Sequence, residues 1–173
     1  MSGRVDAVRV SNGGVPKRAV PSACIRKLGV EGDRQADRRY HGGPDRAVSL
    51  FSAEVIAAIR AEGHPIEPGS TGENLTISGL DWTRLVPPMR LRVGRDAILE
   101  ITEHVKPCKT IAASFLDGRF ERIAPRRHPV ECRLYARVLR EGEVREGDPV
   151  EVLPPRPRWR RAATKIAQRI RRD

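Results

Sequence analysis

Residues 89–102, MRLRVGRDAILEIT, carry the clearest structural pattern in the chain. Met89, Leu91 and Val93 alternate with arginine, a period of two that turns the apolar side chains to one face of a strand. Gly94, Arg95 and Asp96 supply a three-residue turn, and Ala97 to Thr102 run on as an apolar strand, so the segment predicts an antiparallel hairpin. The flanking chain follows the same pattern. Arg4 to Val10 reads as a first strand and Leu75 with Ile77 as a short one ending near Gly79. Val130, Cys132, Leu134, Ala136 and Val138 fall on one face of a long strand, and Val150 with Val152 form a last one after the Gly147-Asp148 turn. Short extended segments separated by Gly, Pro, Asn and Asp predict a mainly β chain, an antiparallel barrel or sandwich rather than βαβ units.

One helix is expected within this body. Ser52 is a good N-cap, Glu54 complements the helix dipole, Val55, Ile56 and Ile59 share a face, and Gly63 closes the end, with Pro65 and Pro68 preventing continuation. The runs Ser11 to Lys17, Gly29 to Asp33 and His41 to Asp45 read as loops with no regular element. After Pro154, Pro155 and Pro157 the character changes. Trp159, Ala162, Ala163, Ile166, Ala167 and Ile170 recur at spacings of three and four opposite Arg and Lys, which predicts a basic amphipathic C-terminal helix. The organisation is thus a body over 1–153 and a Pro/Arg-rich linker with a helix over 154–173.

Composition narrows the function classes. With 39% hydrophobic and 32% charged residues, the 173-residue chain suits a globular domain with a real core. No apolar run approaches the roughly 20 residues of a membrane span, and Met1 to Val10 has no signal-peptide core, so a cytoplasmic location is expected. The formal net charge is +11, of which residues 156–173 hold +7 through eight Arg or Lys against Asp173. The tail therefore suits an anionic membrane surface, a nucleic-acid backbone or an acidic partner protein, and packing on the body is the bland reading. Aromatic content of 4% weakens the nucleic-acid reading, since base stacking needs aromatic faces. Three cysteines without CxxC spacing argue against a disulfide framework or a tetrahedral zinc site.

Cys108 is the cysteine with a chemical setting. Pro107 breaks the preceding strand, so Cys108 falls in a loop at the end of the body. His104, Lys106 and Lys109 surround it, and positive neighbours favour the thiolate, the form that binds a soft metal or attacks electrophiles. A solvated loop cysteine with accidental lysine neighbours is the competing reading. Cys132, in phase with Val130 and Leu134, reads as a core residue, and Cys24 as structural. Lys17 and Arg18 in a Gly-rich loop suit a phosphate group, or form an ordinary basic loop. Asp45 and Arg46 read as a loop-fixing ion pair, and His64 and His128 as surface residues.

The ordered series Gly32-Asp33, Tyr40-His41-Gly42-Gly43-Pro44-Asp45-Arg46-Ala47-Val48, Gly72-Glu73-Asn74-Leu75, Pro107-Cys108 and Gly147-Asp148 resembles the motif series of MOSC domains, over about residues 3–153. The loop Gly13-Gly14-Val15-Pro16-Lys17 is similar to the opening loop of bacterial members. The resemblance implies an antiparallel β-barrel-like fold with a few short helices, a molybdenum cofactor (molybdopterin) ligated by the cysteine at Cys108, and reduction of N-hydroxylated or N-oxygenated compounds. The family pattern favours a catalytic or cofactor-contacting part for His41, with a hydrogen bond to the loop backbone as the alternative. Cofactor binding is expected of Asp33, Gly42, Gly43, Glu73 and Asn74, with turn capping the alternative for the last two, and, from their charge, of Lys17, Arg18, Lys106 and Lys109. The sequence departs from the pattern at Glu103-His104-Val105-Lys106, where many relatives have an arginine, and at Arg133-Leu134-Tyr135, where Gly-Trp-Tyr is common. No flavin, haem or iron–sulfur motif is present, so electrons are expected from a partner protein. Two alternatives stand beside the reductase: a carrier of the cofactor, or of sulfur as a Cys108 persulfide, and an anionic-surface binding module acting through the basic tail.

Overall fold

The computed structural model describes residues 2–34 and 42–155. These form β1 (Ser2–Val10), β2 (Arg18–Val20), β3 (Ser22–Arg26), β4 (Gly29–Val30), β5 (Val48–Ser52), α1 (Ala53–Ala61), β6 (Leu75–Ser78), β7 (Arg90–Val93), β8 (Ala97–His104), β9 (Leu134–Arg140), β10 (Gly142–Arg145) and β11 (Pro149–Leu153). Short 3-10 helices at Lys109–Ser114, Leu116–Gly118 and Phe120–Ile123 fill the connection between β8 and β9.

The predicted hairpin is β7–β8, with Leu91 opposite Leu99 and Val93 opposite Ala97. Gly94 adopts φ 62 in the turn, the left-handed region that glycine enters without strain. Leu91, Val93, Ala97, Leu99 and Ile101 are fully buried while Arg92 is exposed, as a period of two requires. From this hairpin the sheet runs β11-β7-β8-β9-β5-β6-β1, and β1 returns to β11 through Ser2↔Glu151, Gly3↔Val150 and Arg4↔Pro149. Seven strands therefore close into a barrel, which removes the unpaired edges of an open sheet. β2 extends the second half of β1 outside the ring.

Every barrel pairing is antiparallel except β5–β6. A parallel pair needs a crossover connection, and α1 with the loop after it provides one. The Ser52 Oγ accepts from Val55 N at 3.2 Å, the expected N-cap, and Ile56 and Ile59 pack inward.

Four expectations are corrected. Gly29 and Val30 are a short strand paired with β3, and β3 pairs in turn with β10, making a second three-stranded sheet. The strand expected from Val130 begins only at Leu134, because the Cys132 carbonyl accepts from Trp82 Nε1 (2.9 Å) instead of from a neighbouring strand, and Val130 is 40% exposed. His64 is buried, its Nδ1 accepting from Leu116 N (3.0 Å) and its ring edge-on to Phe115 at 5.5 Å. Asp45 and Arg46 do not pair with each other, as the candidate site below makes clear. Cys132 is a core residue as expected, and burial pushes its thiol up to about 11. No helix among the described residues is long and apolar enough to cross a membrane.

Candidate functional site

Where β5, β9 and β8 lie side by side, their register sets Ser49 opposite Tyr135 and Tyr135 opposite Glu103. Two residues back along β9, the Arg133 carbonyl accepts from Val105 N at 2.8 Å. Side chains two apart on a strand share a face, so Tyr135 follows Arg133 and Val105 follows Glu103 onto the same side. All five residues line one cavity of about 590 Å³. Its other walls come from the Ser11–Lys17 loop, from Thr71, Gly72 and Asn74, and from the segment around Pro107 and Cys108.

Local hydrogen bonds fix these walls. Lys17 N donates to the Gly69 carbonyl (2.9 Å), tying the first loop to the second, and Ser114 Oγ donates to the Ser70 carbonyl (3.2 Å), tying the second to the Lys109–Ser114 turn. Cys108, in extended conformation, leads directly into that turn, which Ile111 anchors in the core. Asp33 is a hub behind the wall. Its Oδ1 accepts from Ser11 N (2.8 Å), and its Oδ2 from Lys17 Nζ (2.5 Å) and Asn74 Nδ2 (2.9 Å). Asn74 also donates to the Arg9 carbonyl (3.1 Å) and accepts from Ser49 N (3.1 Å). Glu73, wholly buried, accepts from Gly69 N and from Thr71 Oγ1.

The wall is electropositive. Among the described residues Lys17, Arg34, Arg46, Lys106 and Arg133 line it against one carboxylate, Glu103. Glu103 is paired with Arg46, whose guanidinium stands 5.7 Å over the Tyr135 ring, while Asp45 pairs instead with Arg137 at 3.3 Å. The 3-10 turn Pro44–Arg46 packs on β9 and sends these adjacent side chains to different strands, which is why the expected Asp45–Arg46 pair does not form. Burial holds Lys17 below the usual lysine range despite Asp33, lowers the Arg133 guanidinium, and raises the Tyr135 phenol. Among the described residues four buried side-chain atoms have no hydrogen-bond partner, and two of them belong to cavity residues, Ser49 Oγ and Arg133 Nε. A cationic cavity with a thiol on its wall suits an anionic ligand and a soft metal or electrophile.

Of the residues singled out in the sequence, Cys108, Lys17, Lys106 and Asn74 reach the wall. Asp33 and Glu73 stand behind it as hydrogen-bond acceptors. Arg18, exposed on β2, and Lys109, exposed at the start of the turn, lie off the wall, as do Gly42 and Gly43. His41 and the helix expected from Trp159 to Arg172 lie outside the described residues. Sequence reasoning missed Ser49, Thr71, Tyr135 and Arg133 as cavity residues. The one available signal was a charged residue, Arg133, set between two residues of buried phase.

The family model described as MOSC domain matches residues 37–151. YflK of Bacillus subtilis is 30% identical over 149 residues, covering 86% of this chain and 66% of YflK. A protein named Reductase from Gibberella moniliformis is 31% identical over 137 residues, covering 76% of this chain and 24% of that protein. The chain thus spans less than two thirds of the length of either relative. The crystal structure of YuaD from Bacillus subtilis superposes with a TM-score of 0.68 at 22% identity, over 88% of this chain and 96% of YuaD, which shows a shared fold. With a family match across residues 37–151 and a relative 30% identical over most of its length, the chain belongs to the MOSC domain family.

Proposed function

We propose that this MOSC protein binds a molybdenum cofactor through the Cys108 thiolate and reduces N-hydroxylated or other N-oxygenated compounds. The observation that carries the reading is Cys108 half-buried on the wall of a cationic cavity, rather than enclosed among aliphatic side chains. The residues present fit such a group. Among the described residues no cluster of three or more His, Cys, Asp or Glu is set to hold a metal, so a metal at Cys108 would bring ligands of its own, as a pterin-bound metal does. A volume near 590 Å³ is in the range of cofactor sites, roughly 300–1,000 Å³. The unpartnered Ser49 Oγ and Arg133 Nε are buried donors of the kind a bound ligand satisfies.

In this reading Cys108 holds the metal, and Lys17 and Lys106 hold the phosphate end. Bound there, the group would supply two-electron oxygen-transfer chemistry, its metal in the reduced form accepting the oxygen of an N–O bond and the external donor returning the electrons. The chain's own residues bind and orient. Asp33 and Asn74 keep the loop wall in place, and Tyr135, a phenol whose ionisation burial disfavours, lines the cavity beside them. His41 is the proposed proton donor. The electron donor is a separate protein. The Gibberella relative's name is in keeping with a reductive role, although it belongs to a longer protein.

Protein made in cofactor-sufficient cells is expected to contain molybdenum by elemental analysis, and Cys108→Ser to lose it while remaining folded. The reduced protein is expected to consume a hydroxylaminopurine. His41→Ala would keep the metal and lose about 10²- to 10⁴-fold in turnover, the range for a general acid. Bound molybdenum without turnover would favour the carrier, and wild-type protein free of molybdenum would sink the reductase and the cofactor carrier, leaving only the sulfur carrier.

A further inference from the structure

Arg133 sits at the entry to β9 with 6% of its surface exposed. Its Nη1 donates to the Thr71 carbonyl, and its Nε meets no acceptor. The other buried cation of the wall, Lys17, has its counter-ion in Asp33, and Arg46 has Glu103. Arg133 has no carboxylate at salt-bridge distance among the described residues. Glu73 is near enough to act on it through space, but its oxygens are held by Gly69 N, Thr71 Oγ1 and Thr76 Oγ1. A guanidinium does not shed its proton in a protein, so the charge stays. A buried charge without a partner is among the costliest things a fold can hold.

The surroundings are open to a ligand at this point. Among the described residues, Gly72, at φ 86, has Val15 and Arg133 near the position of a side chain. A Cβ there would stand 3.1 Å from Val15 Cγ1 and 3.6 Å from Arg133 Nη1. A side chain at 72 would crowd Val15, so glycine lets the first loop and the guanidinium stand close together on the wall of the cavity that Lys17 and Cys108 also line. Pinning the Thr71 loop needs one donor. A purely structural Arg133 leaves both its second donor and its missing counter-ion without a reason.

We infer that Arg133 is the receptor for an oxyanion, a phosphate or carboxylate, bound in the cavity between Gly72, Lys17 and Cys108. The planar fork of arginine matches such groups better than an ammonium does. Two sources have this chemistry, the phosphate of a cofactor and an acidic group on the substrate. The inference rests on the cavity being a ligand site and is independent of molybdenum.

The test uses the full chain prepared without cofactor, titrated with inorganic phosphate by calorimetry. In parallel, alkylation of Cys108 by iodoacetamide is followed, with half-buried Cys24 as internal reference. Saturable binding is expected, with Cys108 alkylation slowed and Cys24 alkylation unchanged. Arg133→Gln should weaken binding by about tenfold or more, the loss of a charge-assisted hydrogen bond, and Arg133→Lys by less. Phosphate that binds equally to wild type and Arg133→Gln, or that leaves Cys108 unprotected, overturns the inference. If Arg133→Gln does not fold, protection of Cys108 in the wild type decides.

Two further measurements separate the sources. A fall in the molybdenum content of Arg133→Gln points to the cofactor's phosphate. Unchanged content with a lost preference for an acidic over a neutral N-hydroxylated substrate points to the substrate. Molybdenum on Cys108 with no role for Arg133 would defeat only this inference, and phosphate held by Arg133 in a protein that takes up no molybdenum would defeat only the proposed function.

Discussion

Ser49 has its backbone N–H taken by Asn74 Oδ1 while its buried hydroxyl meets no partner. An unmet buried polar group costs about 1–3 kcal/mol, and alanine fills nearly the same space. Ser49→Ala is therefore expected to stabilise the ligand-free protein by about 1 kcal/mol in urea unfolding, and a loss of that size would mean the hydroxyl is bonded, for instance to a fixed water. Cys132 offers a test by pH. Its thiol is buried and pushed up to about 11, whereas an unfolded thiol ionises near 9. The native state thus holds the proton over the interval where the unfolded state releases it. The contribution is fully present below pH 9 and is lost as pH rises to about 11, roughly 2–3 kcal/mol in all. Comparing Cys132→Ala with the wild type by unfolding between pH 8 and 11, the variant should show the shallower decline, and parallel curves would mean that the thiol reaches solvent.

At the scale of elements, the cavity is where two loops lean on each other at Gly69. This residue has φ 90, and a Cβ on it would stand 2.3 Å from the Lys17 carbonyl, with Lys17 N bonded to the Gly69 carbonyl. Gly69→Ala is expected to cost about 2 kcal/mol or more from backbone strain and to disturb the wall that carries Lys17 before it disturbs the barrel. Amide exchange would check this, with faster exchange at Lys17 and Gly72 and unchanged protection in β7 and β8. Elements of this kind differ in how far they can be read from sequence. The β7–β8 hairpin was legible because Leu91, Val93, Leu99 and Ile101 alternate around a turn with Gly94, and α1 because Ser52 caps it locally. The small sheet of β3, β4 and β10 was not, since β4 is two residues long and β3 has only one fully buried side chain, Ile25. The site divides in the same way. Cys108 and Lys106 were legible from their own neighbours, and Lys17 from its Gly-rich loop. Ser49, Tyr135 and Arg133 meet only through pairing of β5 with β9, across more than eighty residues, and no local pattern encodes that meeting. The Asp45–Arg46 expectation failed for the converse reason, because adjacent residues were partnered by strands distant in sequence.

For the whole molecule, closure of the barrel sets where the chain is free to change. β11 is held on both sides, by β7 through Val150↔Val93 to Leu153↔Arg90 and by β1 through Ser2↔Glu151 to Arg4↔Pro149. The last described contact beyond it is Arg90 Nη2 donating to the Pro154 carbonyl at 2.6 Å. Every ring pairing among the described residues is thus complete by Leu153, and all the described cavity residues precede it. Residues 156–173 hold +7 of the formal +11, so charge and barrel are largely separable in sequence. Because the ring pairings are all made within residues 2–153, a chain ending at Pro155 is expected to unfold within about 0.5 kcal/mol of the full protein and to keep its molybdenum content. Retention on heparin or on anionic vesicles should fall sharply, and the salt dependence of that retention should flatten, because the number of cations released against the polyanion sets the slope. Loss of stability by several kcal/mol would instead mean that residues 156–173 cover apolar surface of the barrel. Unchanged retention would place the anion-binding surface on the barrel itself.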